Sequence, residues 1–241
     1  MNYSGLAFGS VFILSSLCSS VQATEGSVEK KTPEIRHGTS ELPPSRQYFC
    51  YTQQDYGGGS GGIKNAACKK AYEEAGSENW QRERLFNFWN TYSKNLENSQ
   101  TPDKPKDLVP DGKLCSAGIA DYDSINIISD AWHTTDLEVK NGRVQLTYIA
   151  SQMHEPSTFR VFLTDQNNLN WDSLKESPDV KVEGVPDKNS STPGHYYLDV
   201  KLPDGYSSDT KSILYIMWKR DERPHETFFS CSDVMIKDSS R

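Results

Sequence analysis

Two histidine-centred segments lie far apart in the sequence, Arg36-His37-Gly38 and Met153-His154-Glu155. A histidine at the amino terminus of a mature chain offers two nitrogens, one in its ring and one in its free α-amine. A second imidazole brings the count to three, and three neutral nitrogens arranged in a T suit copper better than Mg²⁺ or Ca²⁺, which prefer oxygen. His37 and His154 are therefore candidate copper ligands, provided that cleavage after Arg36 makes His37 the first residue.

The residues before His37 are typical of an exported chain. Residues 6–17 form an apolar run too short to span a bilayer, and Val21-Gln22-Ala23 places small residues at a cleavage position, so residues 1–23 are predicted to be a signal peptide. Residues 24–36 are charged and lack aromatic residues, which indicates a disordered leader or propeptide. Arg36 is a plausible processing site for a trypsin-like protease, and an unprocessed flexible tail is the alternative. We expect a secreted, extracellular protein with a single domain over residues 37–241.

Composition limits the classes of partner. The chain has 241 residues and a formal net charge of −7, so it lacks the excess of Lys and Arg that nucleic-acid binding requires. The same negative charge disfavours an anionic membrane surface. A neutral polymer such as a polysaccharide remains compatible, and we expect a monomer that binds neither nucleic acid nor membrane.

The pattern of apolar residues predicts a mostly β fold. Apolar and polar residues alternate through several short segments separated by Pro, Gly, Asn and Asp. These segments are 144–150, 159–163, 196–202, 212–219 and 228–236. Before them, residues 68–98 have helical character, with a stop at Gly76, whereas Tyr48-Phe49-Cys50-Tyr51 is expected to enter an edge strand. The sequence therefore predicts an immunoglobulin- or fibronectin III-like β-sandwich with a helical and loop insertion between its early strands.

Four cysteines remain when the predicted signal peptide is removed: Cys50, Cys68, Cys115 and Cys231. An even number of cysteines in an exported chain indicates two disulfides, for which the sequence alone permits three pairings. The chain has five histidines, and His133, His195 and His225 are expected to be ordinary solvated or hydrogen-bonded side chains.

Five sequence blocks, in order, carry a resemblance to a known family. They are His37-Gly38 with Pro44-Ser45-Arg46 and Cys50; 109–118 (VPDGKLCSAG); His154 with 159–164 (FRVFLT); 194–199 (GHYYLD); and 228–234 (FFSCSDV). Over these residues the chain resembles the lytic polysaccharide monooxygenases of auxiliary activity family 10, also called chitin-binding type-4 domains. The similarity runs from His37 to about Lys237.

The resemblance implies roles for individual residues. His37 would give copper its α-amine and one ring nitrogen, and His154 would give the third nitrogen. Phe228 matches an aromatic residue at the axial face of the metal, and Glu226 matches a polar residue that positions O₂ or H₂O₂. We also expect the cysteine pairs Cys50–Cys68 and Cys115–Cys231.

Further residues match a flat surface that binds crystalline glycan in family members, namely Phe86, Asn87 and Trp89. The chain also departs from the family. Gln152 and Met153 stand where small alanines are usual, and Ser151 stands where cellulose-active relatives tend to have an aromatic residue.

The resemblance thus implies a secreted copper enzyme that oxidatively cleaves β-1,4-linked polysaccharide, cellulose or chitin. It would use an external electron donor together with O₂ or H₂O₂. Two alternatives remain, a non-catalytic glycan-binding module or adhesin and a copper-scavenging protein. Soluble oxidised oligosaccharides would identify the enzyme, binding to glycan without products the module, and copper binding without glycan binding the scavenger.

Overall fold

The computed structural model describes residues 37–97, 99–183, 194–223 and 225–238. The predicted signal peptide and leader lie outside the described residues. The α-helices are α1 (Arg46–Gln53), α2 (Ala66–Glu74) and α3 (Asn79–Asn87). The strands are β1 (Gly38–Leu42), β2 (Ser93–Asn95), β3 (Thr134–Glu138), β4 (Arg143–Ala150), β5 (Ser157–Asp165), β6 (Lys175–Glu176), β7 (Asp179–Glu183), β8 (Gly194–Lys201), β9 (Lys211–Arg220) and β10 (Glu226–Lys237). Short 3-10 helices lie at Ser60–Gly62, Ala120–Asn126 and Trp171–Ser173. No helix in the described ranges is long and apolar enough to cross a membrane.

The strands form two sheets. One sheet has four strands in the order β1-β4-β8-β7, and the other has six, in the order β2-β10-β9-β5-β6 with β3 added parallel to β10. The other strand pairs along these two orders are antiparallel. This mostly β architecture confirms the predicted sandwich.

The larger sheet is covered on both faces. Tyr148 and Tyr196 from the smaller sheet share a buried cluster with Trp218 of β9, so this cluster fills the space between the sheets. Tyr215 and Phe229 belong to a second buried cluster, which also contains side chains of α2 and α3. Because successive side chains of a strand point to opposite faces, β9 and β10 contribute to both clusters. The insertion is therefore the layer that covers the outer face of the larger sheet.

The five segments predicted from alternation are strands β4, β5, β8, β9 and β10. The predicted helical insertion is confirmed for α2 and α3, with α2 ending beside Gly76, whose φ of +150° favours glycine. Helical character is wrong at Ser93–Asn95, which form β2. The sequence analysis missed β2, β3, β6 and β7. In β3 only Leu137 is buried, so the strand has no alternating apolar pattern to reveal it.

The extended entry predicted at Tyr48-Phe49-Cys50-Tyr51 is wrong, because these residues belong to helix α1. The edge strand lies earlier, as β1, and Pro43-Pro44 separates it from the helix. Ser45 begins the helix as its N-cap, since its side chain accepts a hydrogen bond from the backbone nitrogen of Tyr48 at 3.3 Å. Such caps stabilise the first turn by satisfying a free backbone donor.

Both disulfides have the predicted pairing. Cys50–Cys68 joins α1 to α2, 18 residues apart, and Cys115–Cys231 joins the end of the insertion to the middle of β10, 116 residues apart. All four cysteines are fully buried. The disulfides therefore fix the insertion both internally and against the larger sheet.

Candidate metal centre

His37 is held at one end of the sandwich by the pairing of β1 with β4. It precedes β1 and is 5% exposed, and its neighbour Gly38 lies opposite Ala150. A Cβ atom on Gly38 would lie 2.3 Å from the carbonyl oxygen of Ile149, so no other residue fits there. The close approach that Gly38 permits brings the backbone of His37 beside the segment that follows β4.

His154 lies in that segment, and Tyr196 fixes its backbone. The phenolic oxygen of Tyr196 accepts a hydrogen bond from His154 N at 3.0 Å and donates one to His154 O at 2.8 Å. The two imidazole rings are stacked with their centres 5.0 Å apart. The structure thus brings together two histidines separated by more than a hundred residues in the sequence.

Burial keeps both imidazoles neutral. Desolvation, the neighbouring His154 and the positive charge of Arg220 lower the pKa of His37 from 6.5 to about 3. Desolvation and Arg220 lower the pKa of His154 to about 4. A neutral imidazole keeps a lone pair for a metal, whereas a protonated one has none.

Two ring nitrogens are left without partners. Among the described residues, His37 Nδ1 and His154 Nε2 are buried and have no hydrogen-bond partner. The other ring nitrogen of His37, Nε2, lies 3.3 Å from Glu226 Oε2. A histidine that binds a metal commonly directs its second ring nitrogen at a carboxylate, which fixes the tautomer. This contact favours a proton on Nε2 and leaves the lone pair on Nδ1.

The donor set fits copper. The two rings that carry the unpartnered nitrogens lie next to each other, with their centres 5.0 Å apart. Two imidazoles suit copper better than Mg²⁺ or Ca²⁺. In a chain that begins at His37, the α-amine of His37 would be a third nitrogen for the same ion.

Aromatic rings close the buried side of the centre. Phe228 is fully buried and stacks on the ring of His37, with centres 4.1 Å apart. Trp218 lies 5.9 Å from His154 and 5.2 Å from Phe228. Glu226 stands two residues before Phe228 on β10. Burial raises the pKa of Glu226, against the opposing effect of the Ser93 hydroxyl, which donates a hydrogen bond to its Oε1 at 2.8 Å.

The predicted glycan-binding residues differ in exposure. Asn87 is exposed and Trp89 is half-buried, with the rings of Tyr48 and Tyr51 5.0 Å and 6.1 Å from Trp89. The assignment of Phe86 to this surface is wrong, since it is fully buried. Phe86 lies on the inner side of α3, where it contacts Tyr56 and Tyr72.

A comparison with protein-family models matches nearly all of the described chain. Residues 37–234 match the model described as lytic polysaccharide mono-oxygenase, cellulose-degrading. The chain belongs to this family. It is 31% identical over 208 residues to a lytic cellulose monooxygenase of Streptomyces ambofaciens, and 30% identical over 204 residues to the chitin-binding protein CbpD of Pseudomonas aeruginosa. These matches cover 83% and 82% of this chain but 53% and 47% of the relatives, so the chain spans about half the length of the curated relatives it matches.

Solved structures support the fold of this monooxygenase family member. The fusolin of Anomala cuprea entomopoxvirus spindles superposes with a TM-score of 0.68 at 20% identity, covering 85% of this chain and 91% of fusolin. A lytic polysaccharide monooxygenase of Cellvibrio japonicus important for utilisation of chitin superposes with a TM-score of 0.57 at 24% identity, covering 83% and 99%. At these identities the likeness shows the fold alone.

The sequence analysis missed residues at both the candidate metal centre and the predicted glycan-binding surface of this family member. Trp218 and Arg220 are two residues apart and so share a face of β9, but only the pairing of Trp218 with Phe228 shows that this face reaches the histidines. Phe88 and Tyr51 are 47% and 41% exposed; Phe88 directly precedes Trp89 in the sequence, and the ring centre of Tyr51 lies 6.1 Å from that of Trp89. The sequence signal that could have identified Phe88 was its position, as an aromatic residue just past the end of a predicted helix.

The other histidines of the monooxygenase chain lie outside the centre, as expected. His133 stacks on Phe49 with ring centres 4.2 Å apart, and His195 Nε2 lies 3.0 Å from Glu41 Oε2. Gln152 is exposed, whereas Met153 packs partly buried against the cluster between the sheets. The bulk of Met153 is thus directed partly into the core.

Proposed function

We propose that this chain, beginning at His37, is a copper-dependent monooxygenase that oxidatively cleaves crystalline β-1,4-glycans. The observation that carries the proposal is the pair of buried imidazole nitrogens, His37 Nδ1 and His154 Nε2, which have no hydrogen-bond partner among the described residues. A buried polar atom without a partner is costly, and binding a metal ion would remove that cost. Family membership supplies the reaction class.

The proposal requires a free α-amine on His37. In an unprocessed chain this nitrogen is an amide, which would have to lose its proton before it could bind copper. The family match begins at His37, which supports cleavage after Arg36. The predicted signal peptide supports secretion. An oxidising environment outside the cytosol is compatible with two disulfides and with this processing.

When bound, copper would supply redox chemistry, accepting electrons from an external donor and using O₂ or H₂O₂ as the oxidant that removes hydrogen from a glycosidic carbon. The protein residues around it have distinct tasks. His37 and His154 would hold the ion as neutral ligands, and Phe228 would keep protein oxygen and nitrogen atoms away from one face. Burial raises the pKa of Glu226, and its carboxyl is oriented by His37 Nε2 at Oε2 and by the Ser93 hydroxyl at Oε1.

The glycan would bind across the surface formed by Tyr51, Asn87, Phe88 and Trp89. Aromatic faces can lie against sugar rings, while an amide can bond to hydroxyls. We propose cellulose as the first substrate to test and chitin as the second. One curated relative is named a lytic cellulose monooxygenase, and another is named a chitin-binding protein. The negative net charge is compatible with a neutral polymer.

The deciding experiment compares chains that begin at Thr24 and at His37. Copper titration should give an affinity at least about 10–100-fold higher for the His37 form, since even residues behind the ligands change metal affinity by that factor. Only the His37 form should release oxidised oligosaccharides from cellulose or chitin. His154→Ala should lose both properties, and His195→Ala, a histidine outside the centre, should keep them. Equal affinity and product yield from the two forms would refute the three-nitrogen site.

A glycan-binding module without catalysis is the second candidate. The name of the Pseudomonas aeruginosa relative, chitin-binding protein, favours it. Retention of the His37 form on crystalline chitin or cellulose, with no oxidised product when copper and a reductant are added, would establish the module instead of the enzyme.

A further inference from the structure

We propose that Ser151 and Asn90 are positioning residues that fix the direction of the α-nitrogen of His37. This inference rests on the proposed function, because it concerns the third nitrogen of the copper site. Neither residue is a candidate ligand, and neither was singled out for this role by the sequence.

Three hydrogen bonds form a chain that ends at the backbone of His37. Ser151 donates twice to the carbonyl oxygen of His37, from its backbone nitrogen at 2.7 Å and from its hydroxyl at 2.8 Å. Asn90 Nδ2 then donates to Ser151 Oγ at 2.9 Å. Since the serine oxygen accepts from Asn90, its own proton is left to point at His37 O. The carbonyl therefore has both acceptor positions filled.

The first residue of a processed chain depends on such a clamp. An internal residue is held by the peptide planes on both sides, but an amino-terminal residue has no plane before it. Its α-nitrogen is then placed by rotation about its own Cα–C bond, relative to the carbonyl that follows. Hydrogen bonds to that carbonyl fix one side of the Cα–C bond, and the rotation is fixed when the side chain on the other side is held as well.

The ring of the same residue is held separately. Phe228 stacks on one face of the His37 ring, and Glu226 lies 3.3 Å from its Nε2. With the ring and the carbonyl both fixed, the α-nitrogen and Nδ1 keep one mutual arrangement before any metal binds. Such preorganisation strengthens binding by lowering the entropy lost on complex formation.

The two residues come from different parts of the fold. Ser151 directly follows β4, whereas Asn90 follows Trp89 in the insertion. The side chains of Asn90 and Ser151 thus connect the insertion to the backbone of the proposed ligand.

The test uses chains that begin at His37 and measures Cu(II) affinity by titration and the Cu(II) electron paramagnetic resonance spectrum. Ser151→Ala should weaken copper binding by about 10–100-fold, the range for residues that orient metal ligands, and should change the copper hyperfine splitting. Ser151→Thr keeps a hydroxyl and should restore both readouts. Asn90→Ala should change them in the same direction by a smaller factor.

Ser177→Ala is the matched control. Ser177 Oγ also donates to a backbone carbonyl, that of Lys201 at 2.7 Å, but it lies next to β7, at the opposite edge of the smaller sheet from β1. The Ser177→Ala variant should have the same Cu(II) affinity and the same electron paramagnetic resonance spectrum as the unmodified chain. If Ser151→Ala fails to fold, judged by its melting curve, Asn90→Ala decides the question. If the unmodified chain binds copper, and neither Ser151→Ala nor Asn90→Ala changes the affinity or the spectrum, this inference alone is overturned. If the unmodified chain does not bind copper, the proposed function is overturned.

Discussion

At the scale of single residues, the centre is defined by what surrounds each histidine. Burial removes the water that would stabilise a protonated imidazole, and the positive charge of Arg220 adds to the effect. The two rings therefore stay neutral well below pH 6.5. This lowers the stability of the folded state in acid, because the unfolded chain binds protons at these histidines that the folded chain does not bind.

The first prediction follows from that difference. With folded pKa values of about 3 for His37 and about 4 for His154 against 6.5 when unfolded, the unfolded state binds more protons between these limits. The free energy of unfolding of the copper-free protein should therefore fall as the pH is lowered from 7 through 6.5 towards 4. Urea unfolding with a chelator between about pH 7 and 5 avoids most carboxylate titration.

The control for this experiment is the double variant His37→Gln, His154→Gln. It lacks both titrating rings, so its stability should depend less on pH over the same interval. An equal dependence in the two proteins would show that other groups cause it.

Tyr196 and Tyr148 offer a second prediction at this scale. Both are fully buried and lie opposite one another on β8 and β4, but only Tyr196 bonds to the backbone of His154. The Tyr148 hydroxyl has no partner among the described residues. Tyr196→Phe should lower the free energy of unfolding by about 1–3 kcal/mol, since it leaves buried groups of His154 unpaired. Tyr148→Phe should be neutral or stabilising. Equal losses of unfolding free energy in the two variants would contradict a stabilising role for the hydrogen bonds between Tyr196 and His154.

At the scale of elements, the insertion has an inner side that packs on the larger sheet and an outer side that faces away from it. Residues in and just after α3 lie on one side or the other. The inner residues, such as Phe86, complete the cluster on the outer face of the larger sheet, whereas the outer residues include the exposed Phe88 and the half-buried Trp89. Asn90 joins the insertion to the backbone of His37 through Ser151. The insertion is thus both a core layer and the proposed glycan surface.

A matched pair of substitutions tests this division. Trp89→Ala should weaken binding to crystalline cellulose or chitin while leaving copper affinity and the melting temperature nearly unchanged. Phe86→Ala should cost about 3–5 kcal/mol of stability, as expected for a large buried ring. Pull-down on insoluble glycan and thermal unfolding supply the measurements. A large loss of stability in Trp89→Ala would show that this side chain serves the core as well.

At the scale of the whole molecule, the disulfides differ in what they constrain. Cys50–Cys68 closes a segment within the insertion, whereas Cys115–Cys231 links the insertion to β10, which carries Glu226 and Phe228. In the entropic model a crosslink stabilises more when it closes a longer loop of the unfolded chain. The second disulfide should therefore matter more.

Replacing Cys115 and Cys231 by alanine should cost about 5 kcal/mol, against about 3 kcal/mol for the same change at Cys50 and Cys68. Urea unfolding of the two double variants gives both values. Equal losses would mean that the crosslinks act through the folded state and not through loop closure.

Five of the sandwich strands, the number of disulfides and the two candidate histidine ligands could be predicted without the fold. Strand alternation is local, so segments such as 144–150 and 159–163 could be recognised without the fold. Resemblance to a family supplied the pairing of cysteines and the roles of Glu226 and Phe228. The helix after Ser45 was missed because its short, mixed sequence looks extended until the N-cap hydrogen bond is seen.

Contacts between particular side chains could not be predicted before the strands and helices were placed in three dimensions. Phe86, Phe88 and Trp89 are similar in type and close in sequence, yet the docking of α3 buries the first and exposes the second. Likewise, Trp218 meets Phe228 only through the register of β9 and β10, and Ser151 meets His37 only because β1 pairs with β4. Contacts between residues distant in sequence depend on strand register and helix docking, which no local pattern of residues specifies.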